Sequence, residues 1–178
     1  LVSIFALNLT ASVYSNLEAY FVAFALQEHE IAATYFLVAV AIGQMTAQPL
    51  WGWLCALWGL ERIATTGSLM FGLSGLALIC VGHLGGAATL VCALLYGASY
   101  GGVAMSIWSM LARSTASVPA QTTQRYGLFT ACSKLSQALA ILFVGVALSV
   151  VDYHDNALGQ HHLRIIMGTA PMAGGIVL

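Results

Sequence analysis

Thr130, Ser133, Lys134 and Gln137 sit inside a long apolar run, YGLFTACSKLSQALAILFVGVALSVVDY, which extends from Tyr126 to Tyr153. Read as a helix at 100° per residue, the four fall on one side. An ammonium group with three donors, two hydroxyls and an amide can hydrogen-bond a polyhydroxylated solute or hold an acidic partner. A cation in such a run costs about 2.5–3.5 kcal/mol on insertion scales, so it normally faces protein or a water-filled cavity. The opposite side carries Leu128, Leu135, Leu139, Leu142 and Val146, as lipid or neighbouring helices require. The competing reading is a lysine snorkelling to the headgroups, because Lys134 is only about two to three turns inside Tyr126.

Other polar groups ask for the same explanation. Asn8, Ser12 and Ser15 share a face of the first apolar stretch, with Asn16 and Glu18 on its flanks. In lipid these groups must point at protein or water. Hydrogen bonds between helices account for Asn8 and the serines, whereas the Glu18 carboxylate needs a cation, a proton or water. Gln44, Gln48 and Trp51 are spaced to share a face, either towards a solute or against another helix. Tyr96 and Tyr100, four residues apart, could stack on the ring of a solute, though core packing is the simpler expectation. Gly97 and Gly101 form a G-x-x-x-G pair for close helix packing, and Ser68, Gly72 and Gly75 form a second small-residue stripe.

The elements that must position these residues are membrane helices. The 178 residues are 60% hydrophobic and 6% charged, against about a quarter charged in soluble domains. The mean hydropathy is +0.91. A span needs about 20 mostly apolar residues. That rule predicts spans at about 1–26, 31–57, 63–83, 87–111, 126–151 and 163–178, the last cut short, with a hydrophilic loop over 113–124. Leu1 is not a start methionine and Leu178 ends an apolar run, so the chain reads as a piece of a longer protein. Pro49 should bend the second span. Trp51, Trp53 and Trp58 read as interfacial aromatics. Arg62, Arg113 and Arg125 fall in alternate connections, which predicts both ends on the cytoplasmic side.

Three stretches resemble a known family. The pattern Y-G-L-F-T-x-x-x-K-L-x-x-A-L is similar to helix eleven of the glycoside–pentoside–hexuronide:cation symporters, the melibiose-permease branch of the major facilitator superfamily. The run A-Y-F-V-A-F resembles the aromatic end of helix seven of that family. P-L-W-G-W-L-C-A-L-W-G-L-E-R resembles the superfamily loop signature G-x-L-x-D-x-x-G-x-R/K-R/K between helices eight and nine. Gly52, Leu54, Gly59 and Arg62 match it, and Ala56 stands in the place of the Asp. The acidic A-D-x-x-D-Y motif that follows helix ten in the family is replaced by Arg113 and Ser114 after Ala112. The resemblance implies an all-α polytopic membrane protein, a six-helix bundle corresponding to helices 7–12 of a major facilitator fold with the last helix truncated.

The function implied is secondary transport, cation-coupled symport of a sugar or glycoside by alternating access. In the family a lysine at the place of Lys134 lies in the central cavity. The expected substrate-binding set is Lys134, Gln137, Thr130, Asn16, Glu18, Gln44, Gln48 and Tyr100, with Gly52, Gly59 and Arg62 as the conformational loop. No cofactor is expected, and the coupling ion, Na⁺ or H⁺, should be bound mainly by an N-terminal half that this chain lacks. The expected partners are that half, the lipid bilayer and a small-molecule solute, in a bacterial inner membrane. The alternatives are a carrier of a non-sugar amphiphile or metabolite and a decayed, non-transporting membrane protein. A polytopic enzyme fits less well, since the chain has no HExxH and no G-x-S-x-G. A net charge of −1 with no basic cluster gives no sign of nucleic acid. Cys55, Cys80, Cys92 and Cys132 lack C-x-x-C spacing and read as small buried hydrophobes. His154, His161 and His162 beside Asp152 and Asp155 read as a solvated loop rather than a metal site.

Overall fold

The computed structural model describes residues 1–25, 29–81, 86–116, 119–150 and 157–178. It is an all-α membrane bundle of six helices: α1 (Val2–Tyr20), α2 (His29–Trp58), α3 (Leu60–Val81), α4 (Gly86–Ala116), α5 (Thr122–Val150) and α6 (Ala157–Val177). A π-helical turn, Phe21–Ala25, extends α1, and a 3₁₀ turn, Pro119–Gln121, precedes α5. Leu60–Cys80, Gly86–Ala116 and Thr122–Val150 are long and apolar enough to cross a membrane. Several ends differ from the sequence expectation. Helix α4 runs to Ala116 and α5 starts at Thr122, so most of the stretch expected as a loop over 113–124 is helical. Ser114 and Thr115 fold their hydroxyls back onto carbonyls of Leu111 and Ala112, which lets polar residues extend the helix. Helix α6 starts at Ala157, which puts His161 and His162 on a helix rather than in a loop; His154, Asp152 and Asp155 lie outside the described residues.

In space the helices follow the order α5, α1, α6, α3, α4, α2, each packed on the next, and α1 also touches α4. Glycines decide how closely they approach. A Cβ on Gly97 would strike the Val40 carbonyl, one on Gly43 the Leu94 carbonyl, and one on Gly102 the Trp51 indole. The α2–α4 crossing is therefore backbone against backbone, as small residues allow in lipid. The second stripe does the same between α3 and α6, where Gly72 faces Gly175 and Gly75 faces the Gly168 carbonyl. Gly59 alone joins α2 to α3. Its φ of 84° is left-handed, its N–H donates to the Cys55 carbonyl at 3.0 Å, and its own carbonyl accepts from the Ile63 N–H at 3.3 Å. This is a glycine helix end, which β-carbon sterics reserve for that residue.

Gly52, its partner in the loop signature, has nothing within 4 Å of where a Cβ would sit. Neither glycine serves a close approach of helices: Gly59, which also has nothing within 4 Å, serves the turn, and Gly52 meets no neighbour. Arg62 is exposed on the first turn of α3. Helix α2 continues through Pro49. Trp51 departs from the interfacial expectation: it is 4% exposed, and its indole N–H donates to the Ala98 carbonyl at 2.8 Å. Trp53 and Trp58 are exposed. Cys92 is buried and Cys80 exposed, so the latter is an apolar outer-face residue rather than a core one.

Candidate functional site

A cleft of about 200 Å³ opens between α1, α2, α4 and α5. Helix α1 contributes Asn8, Ser12, Ser15 and Asn16, α2 contributes Gln44, α4 contributes Tyr96 and Tyr100, and α5 contributes Gln137. These residues come from four helices far apart in the chain, so only the bundle assembles them. The geometry follows from the helix periods. Ser12, Ser15 and Asn16 are three and four residues apart, and Tyr96 and Tyr100 are four apart, so each group forms one strip.

The cleft is rich in hydrogen-bonding groups. The amides of Asn8 and Asn16 donate to the Ile4 and Ser12 carbonyls at 2.9 and 2.7 Å. Each side-chain oxygen remains available as an acceptor. The Gln137 carbonyl accepts from the Lys134 ammonium at 3.3 Å. Lys134 is exposed, on the side of α5 next to the cleft, and reaches it through Gln137. The aromatic floor is layered. Tyr14 and Tyr96 stack with ring centroids 3.6 Å apart and planes 11° apart, and Tyr100 lies parallel to Tyr96 at 6.3 Å. Phe71 closes the back, 5.5 Å from Tyr96.

Of the residues expected from the sequence, Asn16, Gln44, Tyr100 and Gln137 line this cleft together. Lys134 joins them by its bond to Gln137. Glu18 is buried at 5% exposure beside Tyr14 and Tyr96, below the cleft rather than in its wall. Gln48 and Thr130 are exposed and are not among the lining residues. Trp51 is committed to α4, so the face expected to carry Gln44, Gln48 and Trp51 is split three ways. Tyr14 had no part in the sequence reading. The available signal was its spacing four residues before Glu18, which puts both on one side of α1.

A second cavity, about 340 Å³, lies where the start of α1, the end of α4 and the start of α5 meet, lined by Leu1, Ile4, Ile107, Leu111, Leu128 and Phe129 among others. The cation in its wall, Arg125, donates to the Ser114 carbonyl at 2.6 Å and to the Gln121 side chain at 3.3 Å. That arginine ties α5 to α4. The smaller cleft gathers amides, serine hydroxyls and two tyrosine rings, as a polyhydroxylated ligand requires, whereas the larger cavity is walled mainly by aliphatic side chains, with Ser3, Ser114 and Arg125 as its polar groups.

No characterised protein and no solved structure matched the chain in comparison. A family model described as MFS/sugar transport protein matches residues 1–176, nearly the whole chain. That match agrees with the resemblance carried by the Tyr126–Tyr153 and Pro49–Arg62 stretches and with the membrane bundle, and the chain belongs to the MFS/sugar transport protein family.

Proposed function

We propose that this bundle is one half of a secondary active transporter that carries a sugar or glycoside by alternating access, coupled to a cation. The observation that carries the reading is the cleft itself. Amide oxygens, hydroxyls and two parallel tyrosine rings converge from four helices in an otherwise apolar membrane bundle. Sugars combine hydroxyls that donate and accept with apolar ring faces, and these side chains complement both. The volume of about 200 Å³ is below the roughly 300–1,000 Å³ of a complete small-molecule site. A half-site fits a transporter of two six-helix halves that bind substrate between them near the membrane midplane. Helix α5 supports the same reading. Only 17% of its most apolar stretch is buried, against 56% for α4, and its exposed Leu135, Leu139, Leu142 and Val146 offer a face for lipid or a second half.

Lys134 stands at the rim of the cleft as a donor for sugar hydroxyls. The test is uptake of a panel of labelled mono- and disaccharides by the full-length protein in vesicles, normalised to the amount inserted. Lys134→Gln and Lys134→Ala should abolish uptake with insertion intact. Lys134→Arg should rescue poorly, because a planar fork replaces a compact ammonium. Wild-type rates for Lys134→Gln, with Arg as good as Lys, would leave Lys134 as a snorkelling residue and remove it from the site.

A further inference from the structure

Glu18 is a buried carboxylate, and its surroundings do not offer it a counter-charge. It is 5% exposed, and its Oε1 is buried without a hydrogen-bond partner. The buried serines of this bundle behave differently: Ser74, Ser99, Ser106 and Ser136 each donate to a carbonyl of their own helix at 2.7–2.9 Å, whereas the Tyr14 hydroxyl, like Glu18 Oε1, is buried without a partner. The ionisable groups that face Glu18 are the Tyr14 hydroxyl on its own helix and the Tyr96 hydroxyl on α4, with the Cys92 thiol of α4 behind Tyr14. None carries positive charge. On the other helices packed against α1, the Lys134 ammonium of α5 is bonded to Gln137, and the Arg164 guanidinium of α6 to His161 Nδ1 at 2.8 Å. Arg164 Nε is buried and unpartnered too, yet it makes no ion pair with Glu18.

Burying a carboxylate with no counter-charge and an unpartnered oxygen is costly, and a bound proton would remove that cost. Two groups of the cleft lie close to the carboxylate. Ser15 lies three residues before Glu18, lines the cleft and is within hydrogen-bonding reach of the Tyr96 hydroxyl. Tyr96 also lines the cleft and is stacked on Tyr14.

The geometry points to Glu18 as a proton-binding site of this half, charged and discharged through the cleft beside Ser15 and Tyr96, so that the proton is a coupling cation for the solute. One proton from the aqueous phase adds to one carboxylate oxygen when the cleft is open to one side. It leaves to the other side after the cleft has switched, and no other bond is made or broken. The coupling part rests on the transport reading above; the proton site itself does not.

Two measurements on the full-length protein in liposomes test this. In the first, infrared difference spectra of wild type minus Glu18→Gln are recorded at pH 7 and at rising pH. The expected result is a neutral carboxyl C=O band at pH 7 that gives way to carboxylate bands as the pH rises. Carboxylate bands in the pH 7 difference spectrum would overturn the proposal. Should Glu18→Gln fail to insert, Glu18→Asp replaces it, with a shift in the neutral carboxyl band as the expected result and an unshifted spectrum as the contrary one. In the second, uptake of the labelled saccharide panel is driven by an imposed pH gradient. Glu18→Gln should lose accumulation but retain exchange of labelled for unlabelled sugar. Undiminished pH-driven accumulation in Glu18→Gln would overturn the coupling role and leave the transport reading standing. A neutral carboxyl band with no saccharide transported by wild type would instead sink the transport reading and leave the proton site.

Discussion

Lys134 and Gly59 show how one side chain, or the lack of one, decides local behaviour. The ammonium of Lys134 stays exposed yet bonded to Gln137, so a cation in an apolar helix is held at the edge of a polar cleft. Gly59 acts through its backbone instead. With φ at 84°, it lets α2 end and α3 begin within one residue. A β-carbon in the left-handed region costs about 1–2 kcal/mol. Gly59→Ala should therefore lower the thermal stability of the inserted protein by about that amount. Gly52→Ala, seven residues earlier in the same signature, meets open space inside α2 and should be neutral or slightly stabilising. Thermal unfolding of the two variants in detergent checks this; equal losses at both positions would remove the turn explanation. Both glycines match the loop signature by eye. Which one the backbone needs was not legible, because a one-letter pattern does not contain φ.

Pairs of helices are held together by backbone contact rather than by large side chains. Gly97 of α4 lies on the Val40 carbonyl of α2, and Gly75 of α3 on the Gly168 carbonyl of α6. These contacts matter in lipid, where apolar side chains gain little from leaving one hydrocarbon for another. Adding a methyl group at Gly97 forces α2 and α4 apart, and overpacking of this kind costs about 1–3 kcal/mol. We expect Gly97→Ala to destabilise the bundle by that order and to distort the cleft, since Gln44 and Tyr100 sit on the same two helices. Gly145→Ala on α5, where nothing lies within 4 Å, should leave stability unchanged. Melting temperatures of the two variants decide the matter, and a tolerant Gly97→Ala would show that the α2–α4 crossing is looser than these contacts imply. Both small-residue stripes were visible in the sequence as periodic glycines. The partner carbonyls that make them necessary belong to other helices and were not.

Across the whole molecule, the order α5, α1, α6, α3, α4, α2 puts polar strips from α1, α2, α4 and α5 around one cleft and leaves the apolar side of α5 open. The arginines predict how this bundle sits in the bilayer. Arg62 and Arg125 lie in the first turns of α3 and α5 and Arg113 in the last turn of α4, so all three flank the α2–α3 and α4–α5 junctions, and those junctions and both chain ends are expected on the cytoplasmic side. Single cysteines introduced at positions 29 and 154 of a cysteine-free full-length protein should react with an impermeant reagent added outside intact cells. Cysteines at 115–122 should react only after permeabilisation. Labelling of 115–122 from outside would reverse the orientation and with it the side from which the cleft is first loaded.

The sequence by itself determined that the chain is a helical membrane protein and which family it joins. Those properties depend on apolar runs, residue periods and short motifs, all of them local in the chain. It also singled out Lys134 and Glu18, because a charge inside an apolar run is conspicuous whatever surrounds it. Tertiary structure alone decided which polar residues meet. Gln44 enters the cleft, whereas Gln48, one helical turn later, is exposed, and Trp51 gives its indole N–H to Ala98. Tyr14 joins the site only because α4 brings Tyr96 to within 3.6 Å of it. A helical period shows which residues share a face, but the neighbour opposite that face is chosen by the packing of distant segments, and that choice separates a binding wall from a buried contact.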